Sequence, residues 1–233
     1  MDKIKIATFN THHGKEKGVK YSTERLANDI QSLGADIICL QEVDSFSFRT
    51  KFANQSRAVA KHLGFYYKSS FIRFFGAGFQ HNSILSKFPI SSHEQIILPS
   101  IKGEQKRIAQ KVVIETENGQ IIVANTHLHS GGNIKDDNSI AKNQLNYLTN
   151  ILDDEKILLM GDFNMTPDDV LPIIKENNFE AQYEYLTSPA SNPKNQIDWI
   201  TSRGYELTNT HISQQLCSDH RALMSSVNVF NRK

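Results

Sequence analysis

The chain has 233 residues, 39% of them hydrophobic and 22% charged, with a formal net charge of +1. This is the balance of a soluble globular protein with ample material for a core, not of a disordered or membrane-spanning chain. The near-zero charge also argues against strong binding of long nucleic acids, because a protein that neutralises many phosphates needs a basic face.

The first apolar run, 4–9, reads as a strand and ends at Asn10. No charged-then-apolar leader precedes it, and no apolar stretch approaches the length of a membrane span, so a cytoplasmic monomer is expected. His12 and His13 follow as candidates for the mouth of a site. Residues 23–33 carry Leu26, Ile30 and Leu33 on one helical face, with Thr23 placed to cap the start. A strand over 36–41 then delivers Gln41 and Glu42, and Cys39 within it reads as a small buried hydrophobe. With Cys217 as the second of two cysteines, the count suits a reduced interior. Arg49 and Lys51 read as a solvated face. A helix over 52–63 uses Phe52, Val59 and Leu63 and stops at Gly64. Phe71, Phe74, Phe75 and Phe79, with Arg73 among them, read as buried packing.

Strands at 82–86, 94–98, 108–115 and 120–127 follow one another, and the last brings Asn125, His127 and His129 forward with one parity. His129 reads as a loop hydrogen-bonding group. Asn125 reads either as a partner of strand backbone or as a substrate contact. After a helix over 138–152, a strand at 156–160 runs into the stretch Gly161-Asp162-Phe163-Asn164. Alternation places Asp162 and Asn164 on one face and turns Phe163 away to pack. A fourth helix runs from Pro167, a favoured first-turn residue, to near Asn178. Strands at 196–201, 205–211 and 221–229 close the chain, with Asp198 inside the first and Asp219 and His220 just before the last. The irregular stretches 99–106, 129–137 and 186–195 read as surface loops. Alternating strands and helices, then consecutive strands, predict sheets packed together with helices outside, in one domain over 1–233.

The polar residues at the strand ends carry the chemistry. Carboxylates inside or beside apolar runs are costly unless paired, hydrogen-bonded or metal-bound, and six strand ends in one chain deliver such polar groups. Asn10, Glu42, Asp162, Asn164 and Asp219 offer oxygen, which suits Mg²⁺ or Mn²⁺ rather than zinc. His127 and His220 could bracket a phosphate, and Asp198 is the kind of residue that holds an imidazole in one tautomer.

Seven segments, in order, carry a resemblance: TFN (8–10), LQEVD (40–44), NSILSKFPI (82–90), NTHLH (125–129), GDFN (161–164), QIDWI (196–200) and SDHRAL (218–223). Together they resemble the endonuclease/exonuclease/phosphatase superfamily, with its pancreatic-deoxyribonuclease-like fold. The resemblance implies a four-layer α/β/β/α sandwich, two sheets flanked by helices, and a Mg²⁺- or Mn²⁺-dependent phosphoesterase that uses in-line water attack. It implies Glu42 as principal metal ligand, with Asn10 and Asp219 assisting, and Asp162 and Asn164 orienting or deprotonating the water. His220, held by Asp198, would act as base or electrostatic stabiliser, and His127 would stabilise a phosphoryl oxygen or protonate the leaving group. Arg107 falls where relatives often place a phosphate-binding arginine, and Asn10 and Asn125 join it as substrate-binding candidates. One departure stands out: secreted deoxyribonucleases pair the first histidine with a Glu just before the NSILSKFPI-like segment, and here Gln80 and His81 occupy that place.

The expected substrate is a phosphodiester: a nucleic acid that is not strongly bound, a nucleotide or a lipid head group. Lys68, Arg73, Lys87, Lys102, Lys106, Arg107 and Lys111 would suit a short one if their strands and loops converge on one rim. A phosphomonoesterase acting on inositol or sugar phosphates is the alternative. A zinc hydrolase built on His127 and His129 is less favoured, because Ser130, Gly131 and Gly132 add no ligand. A non-catalytic binding module finds no support, since every expected catalytic position is filled.

Overall fold

The computed structural model describes residues 3–15, 21–75, 78–131 and 138–229. Its strands are β1 (Lys3–Asn10), β2 (Ile37–Ser45), β3 (Tyr66–Phe75), β4 (Gly78–Ser86), β5 (Ile90–Ile97), β6 (Ile108–Thr116), β7 (Gly119–His127), β8 (Ile157–Asp162), β9 (Glu180–Ala181), β10 (Asp198–Arg203), β11 (Leu207–Ile212) and β12 (Leu223–Asn228). The helices are α1 (Thr23–Ser32), α2 (Gln55–Leu63), α3 (Ser139–Ile151) and α4 (Pro167–Glu176). One sheet has the order β11-β12-β1-β2-β4-β3 and the other β5-β6-β7-β8-β10-β9. Within each, one central pair is parallel: β1 with β2, and β7 with β8.

The layering follows from side-chain alternation. In β1, Ile4 and Ile6 turn toward the opposite sheet and meet Val112, Val123, Leu158 and Met160, while Ala7 and Phe9 turn outward. The outward residues lie under α1 and α2 with Leu26, Ile30 and Val59. On the other sheet, Leu159, Phe163 and Trp199 pack outward beneath α3 and α4. Three apolar interfaces therefore separate four layers, as the α/β/β/α expectation requires. Burying both faces of each central strand is what places polar residues at strand ends rather than along strand faces.

Most elements fall close to the sequence reading, and three of the differences bear on the site or its surroundings. Ser22, not Thr23, caps α1, its side chain accepting from the Arg25 backbone N–H at 3.1 Å. Helix α2 begins at Gln55 behind the cap Asn54, so Phe52 lies outside it, left-handed and exposed. Gly64 ends α2 in the left-handed conformation, as expected. The third difference is β3, which the sequence reading missed. It is an edge strand, paired only with β4, and its aromatic residues lack the clean alternation that marks a half-buried strand. The phenylalanine cluster is correspondingly not buried: Phe71 is 39% and Phe74 75% exposed, and they meet Phe79 edge-on or tilted at the tip of the β3–β4 hairpin.

Residues 132–137 of the expected 129–137 loop lie outside the described residues. Among the described residues, no helix is long and apolar enough to cross a membrane, and Cys39 and Cys217 are both free and buried.

Candidate active site

The C-terminal ends of the two parallel strand pairs meet at one rim of the sandwich. Asn10 ends β1, Gln41 and Glu42 lie on β2, His127 ends β7 and Asp162 ends β8. Parity selects these residues. Asn10 has the inward parity of Ile4 and Ile6, and His127 that of Ile121 and Val123. Asp162 follows Leu158 and Met160, and Asp198 pairs with Asp162 across the β8–β10 ladder. Where the apolar core runs out toward the rim, the same inward positions become polar.

Asp162 is the centre. It is fully buried, its Oδ2 accepts from the Asn10 side-chain amide at 2.9 Å, and its Oδ1 accepts from the Asn164 backbone N–H at 2.9 Å. Burial, then the charge of Asp198, pushes its carboxyl up to about 7. His220 lies beside it, with Nδ1 2.8 Å from Asp198 and Nε2 3.8 Å from Asp162. Burial alone would lower the His220 imidazole, but Asp198 and then Asp162 outweigh it and raise it to about 10. His127 sits on the other flank, Nε2 3.5 Å from Asp162 and Nδ1 3.9 Å from Glu42, too long for a hydrogen bond. Burial, then Arg107 and His220, holds His127 well below the ordinary imidazole range.

Local backbone requirements explain the sequence around these groups. A Cβ on Gly161 would lie 1.9 Å from the Thr126 carbonyl oxygen, in the register where β8 pairs with β7. Only glycine allows the strands to approach there with φ +149°. Phe163 then turns outward to stack on Trp199, whose indole N–H donates to the Met165 carbonyl at 3.0 Å. The SDH turn is tied to β1: the Ser218 hydroxyl donates to the Asn10 carbonyl at 2.7 Å and accepts from the His220 N–H at 3.1 Å.

Glu42 reaches the rim by a different route. Strict alternation after Leu40 and Gln41 would turn it toward the helices. Instead β2 carries one extra residue between its pairings Leu40–Ser83 and Val43–His81. Glu42 absorbs that residue with φ 54°, a β-bulge. His13, itself at φ 60°, stands against the bulge. Its Nε2 is 3.1 Å from Glu42 and its Nδ1 3.0 Å from buried Asp44. Sequence reading left His13 at the mouth of a site and did not single out Asp44. The signal for Asp44 was its place two residues beyond Glu42. Asn82 lies opposite the bulge, and sequence reading did not single it out. It is fully buried and neither atom of its amide has a hydrogen-bond partner among the described residues.

Other expected residues sort differently. Arg107 is buried, its Nε has no hydrogen-bond partner among the described residues, and burial lowers its guanidinium to about 10 against the pull of Asp162 and Glu42. Asp219 is at the rim, its carboxylate 3.3 Å from His12 Nδ1. Asn125 lies between the two sheets: it is fully buried, donating to the Leu40 and Ser83 carbonyls at 3.0 Å each and accepting from Gln41 at 2.8 Å. It stitches one sheet to the other. Arg49 does not belong to a solvated face, because it donates to Asp44 at 2.9 Å and lies over the Phe75 ring at 4.6 Å. His129 makes the loop bond expected of it, 2.8 Å to Glu104. Gln80, standing where a Glu was the alternative, accepts from Arg73 at 2.6 Å, and His127 Nδ1 has no hydrogen-bond partner among the described residues. The basic residues do not share one rim: Lys87 pairs with Asp36 at 3.7 Å and Lys111 with Asp154 at 2.6 Å.

By distance, Asp162, Asp198 and His220 form a cluster able to hold a metal ion, with ligand atoms within 4.8 Å of one another. Comparison with known proteins agrees with the architecture. A family model described as the Endonuclease/Exonuclease/phosphatase family matches residues 7–220. The structure is similar to an endonuclease/exonuclease/phosphatase from Beutenbergia cavernae (TM-score 0.79, 18% identity, 99% of this chain and 72% of that one). It is also similar to the human Nocturnin catalytic domain with bound sulfate (0.74, 18%, 97% and 94%). A third similar structure is D. rerio TDP2 complexed with single strand DNA product (0.75, 14%, 98% and 100%). At these identities the likeness is one of fold. No curated protein matches the chain.

Proposed function

Because the chain belongs to the endonuclease/exonuclease/phosphatase family, we propose that it is a Mg²⁺- or Mn²⁺-dependent phosphodiesterase acting on a short or compact substrate. The observation that carries this reading is the convergence of Glu42, His127, Asp162 and His220 at one rim, with successive contacts of 3.9, 3.5 and 3.8 Å.

The donor set fits a hard cation. The Glu42 carboxylate, the Asn10 amide oxygen and Asp219 are all oxygen donors. The Asp162–Asp198–His220 cluster is tighter, but an imidazolium at its centre repels a cation, so Glu42 is the better anchor. A bound divalent ion supplies charge neutralisation at a phosphoryl oxygen. The protein groups supply the rest. Asn10 and the Asn164 N–H fix both oxygens of Asp162, which orients the attacking water and takes its proton. His220, kept cationic by Asp198, faces one phosphoryl oxygen and stabilises its charge. Neutral His127 donates a hydrogen bond from the opposite flank rather than acting as a standing acid, and Arg107 adds fixed positive charge near the phosphate. Nocturnin with sulfate and TDP2 with a DNA product are relatives in fold that hold a tetrahedral anion and a phosphodiester chain, which suits this reading.

The test is turnover of bis-nitrophenyl phosphate, nitrophenyl phosphate, dinucleotides and a phosphocholine lipid, with Mg²⁺ or Mn²⁺ and with chelator. Metal-dependent cleavage of a diester is expected to exceed that of the monoester. Hydrolysis of the monoester alone would make the protein a phosphomonoesterase, and inertness toward all four would remove the proposal.

A further inference from the structure

Outside the strand-end groups, a second buried chain of polar contacts remains unexplained: Asp44, His13 and Glu42. His13 Nδ1 is bonded to Asp44 Oδ1 at 3.0 Å, and Nε2 lies 3.1 Å from Glu42 Oε2. Asp44 and His13 are 1% and 6% exposed. The arrangement is built rather than incidental. The Gln55 side chain donates to the His13 carbonyl at 2.8 Å and accepts from the Asp44 N–H at 2.8 Å, so one residue fixes both backbones. The His13 ring stacks on Phe75 with centroids 5.5 Å apart, and Arg49, bonded to Asp44, covers the same Phe75 ring. Thr11 donates to the Glu42 carbonyl at 3.0 Å and steadies the bulge. His12, His13 and Glu42 all take left-handed backbone conformations, at φ 41°, 60° and 54°. Strain of this kind clusters at functional sites.

We infer that His13 is a positioning residue for Glu42, oriented by Asp44 and clamped by Gln55 and Phe75, which aims the Glu42 carboxylate at the divalent cation. The inference rests on the proposed role of Glu42. A carboxylate on a bulged strand, still 20% exposed, has several rotamers open to it, and a fixed partner at Nε2 selects among them. Outer partners of this kind change metal affinity by about 10–100-fold when removed.

The test is Mn²⁺ binding by calorimetry and electron paramagnetic resonance on folded protein, with no substrate present. His13→Leu keeps bulk but offers no donor, and is expected to weaken Mn²⁺ binding by about 10–100-fold. His13→Gln, whose amide N–H can reach Glu42, is expected to bind within several-fold of wild type. Glu42→Gln is titrated beside them. Wild-type affinity in His13→Leu, with Glu42→Gln impaired, overturns the role of His13 alone. Equal losses in the Leu and Gln variants overturn it too, because packing rather than the donor would then be at work. Identical binding by wild type and Glu42→Gln overturns both the metal assignment and the inference built on it.

Discussion

His220 and His13 each turn Nδ1 toward a buried aspartate, at 2.8 and 3.0 Å, and Nε2 toward a carboxylate at the rim. The two chains of contacts differ in their freedom. Asp198 Oδ1 has no hydrogen-bond partner among the described residues, and a 3.8 Å gap separates His220 from Asp162. Asp44 has no such slack: it accepts from Arg49 and from the Ser47 hydroxyl, and His13 sits 3.1 Å from Glu42. The first arrangement is therefore looser than the second. That difference suits the proposed division, in which the His220 pair faces the substrate and the His13 pair holds the Glu42 carboxylate in place.

The largest expected effect tests the first arrangement. Asp198→Asn should cut turnover by roughly 10²–10⁴-fold, by analogy with other carboxylates that orient a catalytic imidazole. It should leave Mn²⁺ affinity nearly unchanged. In a His220→Ala background the same substitution should add little, because residues acting as a unit are not additive. Fully additive losses would separate Asp198 from His220 and dissolve the comparison.

Glu42→Gln probes the second arrangement. It should raise the Mg²⁺ concentration needed for half-maximal activity by about 10–100-fold or more, since a hard-cation site loses a charged ligand. Turnover at saturating metal should fall less than in Asp198→Asn. An unshifted metal titration would show that the two arrangements do not divide labour in this way.

Asn125 lies beneath both and should behave as neither. Asn125→Ala removes an amide bonded to Leu40, Ser83 and Gln41. It should destabilise the fold by about 1–3 kcal/mol per polar group left unpaired, read by urea unfolding. KM should stay nearly constant in the protein that remains folded, and a KM effect without a stability loss would restore Asn125 to the substrate.

The smallest effect concerns charge. Arg107 is buried beside Asp162 and Glu42, Arg73 is also near Glu42, while Lys87 and Lys111 are paired elsewhere. With one or two phosphates neutralised, the log–log slope of duplex affinity against salt should have a magnitude of about two or less. A slope near six, with efficient plasmid nicking, would mark a true duplex endonuclease.

The first arrangement was legible in the sequence, whereas of the second only Glu42 and His13 were named and not their contact, and the reason is geometric. Asn10, His127 and Asp162 continue the inward parity of the apolar residues preceding them, and Asp198 shares the parity of Ile200 after it, so a period of two points each of them at the space between the sheets. Gly161-Asp162-Phe163-Asn164 even shows which neighbour turns away. The sheet layering was legible for the same reason, since alternation within strands and helical spacing between them are local properties. Glu42 and His13 are set instead by a bulge and by left-handed turns. Those depend on pairing with β4 and on Gln55, 42 residues beyond His13. No local pattern encodes such partners. The edge strand β3 escaped for a related reason: it has one strand neighbour and exposed phenylalanines near its tip, so its sequence shows no clean polar–apolar alternation. Alternation fixed which residues could face the cleft, and long-range pairing decided which of them touch.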